Sequence, residues 1–107
     1  MKGTHMASSP EFLEYVLDLL RAVPNVTTGT MMGEYLLYSG GQLFGGVYDD
    51  RFLVKETPAS CAAFPTAALP YDGAKPMRVV DVEDPGIVAQ VVREMLPELP
   101  KPRTRRR

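Results

Sequence analysis

Few side chains in this sequence have types and spacing suited to chemistry. In "YDGAK", Tyr71 to Lys75, a phenol, a carboxylate and an ammonium share one loop. That set can hold a small polar ligand, and it equally makes a soluble turn. Glu34 and Tyr35 stand at the head of "MMGEYLLYSGGQLFGGVYDDRFLVK", Met31 to Lys55, and Lys55 closes it. Glu34, Tyr35, Lys55, Tyr71 and Lys75 therefore form a candidate ligand set around the bare backbone of Gly45 and Gly46. Glu34 can instead accept from a loop N–H or meet Arg51 or Lys55 across a sheet, and Lys55 with Glu56 reads as a strand-end charge pair. Asp49 and Asp50 read as turn residues rather than paired catalytic acids, and no oxygen series has EF-hand spacing. Met31 and Met32 are core or loop plugs, or an adaptable partner-binding surface.

The remaining chemistry is thin. The single histidine, His5, lies in "MKGTHM", where residues 1–5 read as an expression-tag remnant before a natural start at Met6. Histidine-based zinc sites and Ser-His or Cys-His systems then lose their usual ligand or base. Cys61 is alone, which excludes an internal disulfide and a CxxC pair, and its flanks supply no positive charge to make a thiolate. It reads as a small buried hydrophobe. The glycines of "SGGQLFGG" match neither GxxxxGK[ST] nor GxGxxG at a strand-to-helix junction. Glycines inside a strand call for a bulge or a close approach, or else a cleft floor. No catalytic residue, metal or cofactor is expected.

Charge is uneven. All 13 acidic side chains but only six of the 12 basic ones fall between Met6 and Pro100, leaving that body near -7. The tail "KPRTRRR" carries Lys101, Arg103, Arg105, Arg106 and Arg107. It is expected to be disordered and to touch phosphates only weakly and without sequence preference. No apolar run approaches the roughly 18 residues of a membrane span and the N-terminal stretch lacks a signal-peptide h-region, so a cytoplasmic location is expected.

These residues need a scaffold, and the sequence outlines one. Ser9 caps a helix with Pro10 at its first position, Ser8 with Glu11 being a second possible box; Phe12, Val16, Leu19, Leu20 and Val23 form its apolar stripe, and it ends before Pro24. "PNVTTGT" reads as a connector. Strands follow at Tyr35–Ser39, Gln42–Tyr48 and Arg51–Lys55, joined by tight turns at Gly40–Gly41 and Asp49–Asp50. Thr57 and Pro58 open a short helix whose buried face holds Cys61 and Phe64. Residues 65–76 look irregular, anchored by Leu69 and Tyr71, with a turn at Asp72–Gly73. Met77–Val82 is a strand, and its Met77, Val79 and Asp81 set is expected to face water. Asp84 and Pro85 start a last helix with Ile87, Val88, Val91, Val92, Met95 and Leu99 on its core face. The fold class is α+β, an antiparallel sheet of about four or five strands with helices packed on it, in the order α-β-β-β-α-β-α. Residues 6–100 make one domain.

At Met32-Gly33-Glu34-Tyr35, Gly41, Asp50 and Leu53 to Lys55 the chain resembles the N-terminal domain of the TfoX/Sxy family of bacterial competence regulators. "LPYDGAKPM" is similar to the segment before that family's fourth strand, and "ELPKP" to the end of a short subgroup. The resemblance implies a secretion-chaperone-like α+β fold, a stand-alone short form, no catalytic residue, and a regulatory role exercised through protein partners. Many relatives have Phe-Gly-Gly-Tyr where this chain has Met-Gly-Glu-Tyr.

Three functions follow as expectations. First is a non-enzymatic regulatory or protein-interaction domain, its surface an exposed sheet edge or the Met31–Tyr35 loop, with homodimerisation possible through such an edge. Second is a small-ligand site or cryptic enzyme built from Glu34, Tyr35, Lys55, Tyr71 and Lys75. Third is weak nucleic-acid binding by the tail.

Overall fold

A computed structural model describes residues 8–100. Residues 1–7, which include the stretch expected to be a tag remnant, and the basic tail lie outside the described residues. Helix α1 (Pro10–Leu19) starts where Ser9 Oγ accepts from the Phe12 N–H at 3.1 Å, with proline at the first position. The same cap-then-proline grammar starts α2 (Pro58–Ala63) after Thr57 and α3 (Pro85–Met95) after Asp84, whose Oδ1 accepts from the Gly86 and Ile87 N–H groups. A 3-10 turn at Leu96–Glu98 follows α3.

Between the helices runs a meander of β1 (Val26–Met31), β2 (Glu34–Ser39), β3 (Gln42–Val47) and β4 (Phe52–Lys55), then β5 (Ala67–Ala68) and β6 (Met77–Val79). All pairings are antiparallel and the sheet order is β1-β2-β3-β4-β6-β5. The expected α+β class is correct, but the sheet has six strands among the described residues. "PNVTTGT" is not a connector: its Val26–Thr30 portion is most of β1, paired residue for residue with β2. Three successive two-residue turns, Met32–Gly33, Gly40–Gly41 and Asp49–Asp50, have positive φ at both positions. This type I′ geometry matches the right-handed strand twist and makes a tight meander.

Helices α1, α2 and α3 pack on one sheet face. Phe44, Leu37, Val16, Leu20, Phe64, Val92 and Met95 are buried in that core, each contributing about 1.5–3 kcal/mol of apolar burial. Between β2 and β3 the register slips, from Leu37 opposite Gly45 to Tyr38 opposite Leu43, so Phe44 is the extra residue of a bulge and is driven into the core. Both structural reasons for glycine are met. A Cβ on Gly45 would strike the Leu53 carbonyl, and one on Gly46 would lie 2.6 Å from Tyr35 O and 2.7 Å from the Tyr48 ring.

Several local expectations are corrected. Strand β6 stops at Val79, and its outer-face Met77 is buried rather than wet, packed with Tyr48 and Leu53 in a second apolar cluster. Ile87 is 46% exposed, because the core face of α3 is carried by Val88, Val91, Val92 and Met95. In α2 the fully buried residue is Ser60, whose Oγ donates to the Lys55 carbonyl at 2.6 Å, while Cys61 is half-buried. Leu69 and Tyr71 are largely exposed. Glu56 pairs with Arg78 at 2.9 Å, not with Lys55.

Candidate functional site

Adjacent apolar residues in a strand point to opposite faces, so "YLLYS" must offer something apolar to both sides of the sheet. Tyr35 and Leu37 face the helices, and Leu36 faces away. On that second face Leu36, Leu53, Met77 and Val79 gather around Tyr48, and the 65–76 segment folds across one end. Tyr71 lies against Tyr48 with ring centroids 6.3 Å apart at 58°. Arg51 pins this flap: its Nε donates to the Tyr48 carbonyl at 3.0 Å and its Nη2 to the Pro70 carbonyl at 3.3 Å. At the opposite end Gln42 Nε2 donates to the Leu96 and Pro100 carbonyls, bringing residues 98–100 to the sheet.

The space between is a groove of about 650 Å³. Its lining includes Met31, Leu36, Leu43, Gly45, Tyr48, Tyr71 and Met77, with Lys55, Lys75, Glu56 and Glu98 supplying charge. An adjoining hollow of about 480 Å³ shares Met31, Tyr48, Pro70 and Tyr71 with it and adds Met32 and Glu34. The side chains predicted from sequence thus largely converge. Met31, Lys55, Tyr71 and Lys75 line the groove, and Met32 and Glu34 line the hollow. Tyr35 does not belong: strand alternation turns it to the helix side, where it packs on the main core. Sequence reasoning missed Tyr48, Leu36, Leu43 and Met77. The consecutive leucines of β2 were the available signal for a second apolar face.

Met32 is 90% exposed and holds φ 54°, a left-handed conformation that favours Asn or Gly. A large apolar side chain is held out at the mouth of the hollow by a turn that pays for it in strain. Beside it, Glu34 is only 6% exposed. Ser8 Oγ donates to Glu34 Oε1 at 2.6 Å, the Asp49 N–H donates to the same oxygen at 3.1 Å, and the Asp50 N–H donates to Ser8 Oγ at 3.0 Å. The Ser9 N–H closes the node on Asp50 Oδ1 at 2.8 Å. Glu34 therefore accepts from a loop N–H, one of its expected roles, and ties the start of α1 to two turns. Asp49 and Asp50 are turn residues inside this node.

Burial raises the Tyr48 phenol above its ordinary value of 10.0, and Tyr71, Glu34 and Tyr38 push it in the same direction. Tyr48 is therefore neutral at physiological pH, presenting a hydroxyl and an aromatic face rather than a charge. Among the described residues no group of three or more His, Cys, Asp or Glu could hold a metal ion, and no helix is long and apolar enough to cross a membrane. What the groove offers is apolar and aromatic surface, two ammonium groups and flanking carboxylates, an arrangement suited to binding.

No protein-family model matches the chain. It is 33% identical over 105 residues to an uncharacterized 12.7 kDa protein in the trpE 5′ region of Spirochaeta aurantia, an alignment covering 94% of this chain and 91% of that protein.

Proposed function

The chain belongs to the same family as the Spirochaeta aurantia 12.7 kDa protein, and we propose that it is a non-enzymatic, regulatory protein-interaction domain. It seats an extended segment of a partner, apolar side chains flanked by carboxylates, in the groove on its helix-free face. The observation that carries this reading is the convergence of Met31, Tyr71, Lys55 and Lys75 on one groove, with Met32 held out beside it. Apolar anchors fill the hollow between Tyr48 and Tyr71, and the lysines meet the partner's carboxylates. The resemblance of Met32–Tyr35 and Leu53–Lys55 to TfoX N-terminal domains supports a regulatory role exercised through partners, connected with competence-like genes in a bacterial cytoplasm.

The test is peptide display against the purified protein. Selected peptides should combine apolar and acidic residues and lose binding with Lys55→Glu, Lys75→Glu and Tyr71→Ser. The surface variant Arg21→Glu should bind them normally. Enrichment of peptides indifferent to all three groove variants would refute the reading.

A second reading shares the same residues: the occupant is a small organic anion with an apolar body, its carboxylate between Lys55 and Lys75. Thermal stabilisation by free aromatic or aliphatic carboxylates, with no peptide selected, would favour it. The third reading rests on Lys101, Arg103, Arg105, Arg106 and Arg107, which lie outside the described residues.

A further inference from the structure

The sheet has two very unequal edges. At one end β5 is two residues long; at the other β1 runs for six residues with β2 as its only strand neighbour among the described residues. Native proteins blunt an edge of that length with lysines, proline, a bulge or an inward charge. Strand β1, "VTTGTM", has none of these, its register with β2 is unbroken, and Thr27, Thr28 and Thr30 are exposed.

The hydrogen-bonding phase of β1 follows from its turn. A two-residue hairpin loop makes the flanking pair, Met31 and Glu34, a hydrogen-bonded one. Bonded and non-bonded pairs then alternate, and the Gly40 N–H donating to the Asn25 carbonyl at 3.0 Å fixes the same phase at the far end. Thr27, Gly29 and Met31 accordingly bond to β2. Val26, Thr28 and Thr30 direct their N–H and C=O groups outward, away from the sheet.

We propose that this edge pairs with a second copy of the chain, β1 against β1 in antiparallel fashion, about a twofold axis through Thr28. This register sets Thr28 opposite Thr28 and Val26 opposite Thr30 of the second copy, so every outward group meets another. It also sets helix-side residues opposite helix-side residues, which a register shifted by one would not. The axis leaves threonine, a strand-favouring residue, opposite threonine. Charge selects the same seam. Residues 24–33 contain no charged side chain, on a body with a clear acidic excess, so two copies approach here without opposing carboxylates. A self-complementary, uncharged edge fits its own copy better than a charged foreign strand.

Sedimentation velocity over a concentration series tests it, with two substitutions at the axis. Thr28→Pro deletes an outward N–H while leaving the ladder to β2, and Thr28→Lys opposes two ammonium groups. The expected result is a concentration-dependent wild-type dimer whose dissociation constant rises about tenfold or more in each variant. Circular dichroism should show both variants folded. If Thr28→Pro proves unfolded, Thr28→Lys decides alone. In a Cys61→Ser background, Thr28→Cys should form an intermolecular disulfide. A monomeric wild type, including one that captures only foreign strands, or a dimer indifferent to the folded variants, would overturn the proposal.

Discussion

Replacing Gly46 by alanine tests whether fold and groove share one support. The added methyl would sit 2.6 Å from the Tyr35 carbonyl oxygen and 2.7 and 2.9 Å from two Tyr48 ring carbons. The Tyr35 carbonyl belongs to the β2–β3 ladder, where Tyr35 pairs with Val47, so it cannot withdraw without weakening backbone hydrogen bonds worth about 1 kcal/mol each. The Tyr48 ring can move, but it then gives up packing on Leu53 and Met77 worth about 1.5–3 kcal/mol. Both are needed, so Gly46→Ala should cost about 3 kcal/mol, a large share of the stability of a domain this size. Urea unfolding followed by circular dichroism would measure it. A displaced Tyr48 also spoils the groove, so peptide binding should fall under conditions where the variant remains folded. A variant within about 0.5 kcal/mol of wild type would mean that Tyr35 and Tyr48 do not both hold Gly46 closely, because relief of two sub-contact distances cannot cost so little.

The Ser8 node makes a second prediction: Ser8→Ala removes the hydroxyl that bridges Glu34 and the Asp50 N–H, and should destabilise by about 2–3 kcal/mol, read as a lowered urea midpoint. Met32→Asn suits the left-handed turn and should raise stability by about 1 kcal/mol while weakening binding at the hollow, a trade seen by pairing thermal unfolding with a peptide titration. The raised Tyr48 pKa sets a pH dependence. The phenol stays protonated in the folded chain while the unfolded one ionises, so its stabilising contribution is full below pH 10.0 and is lost as pH climbs through the folded-state value. Tyr48→Phe should flatten that alkaline loss, and tyrosinate absorbance should show one fewer late-ionising phenol.

The sequence exposes features that are local in their physics. Ser9, Thr57 and Asp84 cap helices that proline then begins, and glycine or aspartate pairs mark two of the three turns of the meander. Strand β1 escapes such reading because its identity comes from β2: Val-Thr-Thr-Gly-Thr alternates no apolar face, and Met32–Gly33 hides a type I′ turn behind a residue that seldom adopts one. The site was half legible for the same reason. Lys55, Tyr71 and Lys75 advertise polar chemistry by type, whereas Tyr48 and Met77 become lining only once the 65–76 flap covers their face. Tyr35 was misplaced by proximity to Glu34, since neighbours in a strand face opposite ways. Ser8 reads as a cap candidate, and only the fold brings it beside a carboxylate 26 residues away.

The most direct measurement is a backbone-amide NMR titration of the labelled protein with an acidic, apolar peptide chosen by display. Shifts should concentrate at Met31, Leu36, Leu43, Lys55, Tyr71 and Met77 and disappear with Lys55→Glu and Lys75→Glu together. Shifts centred on the helical face, or unchanged by those two substitutions, would contradict it.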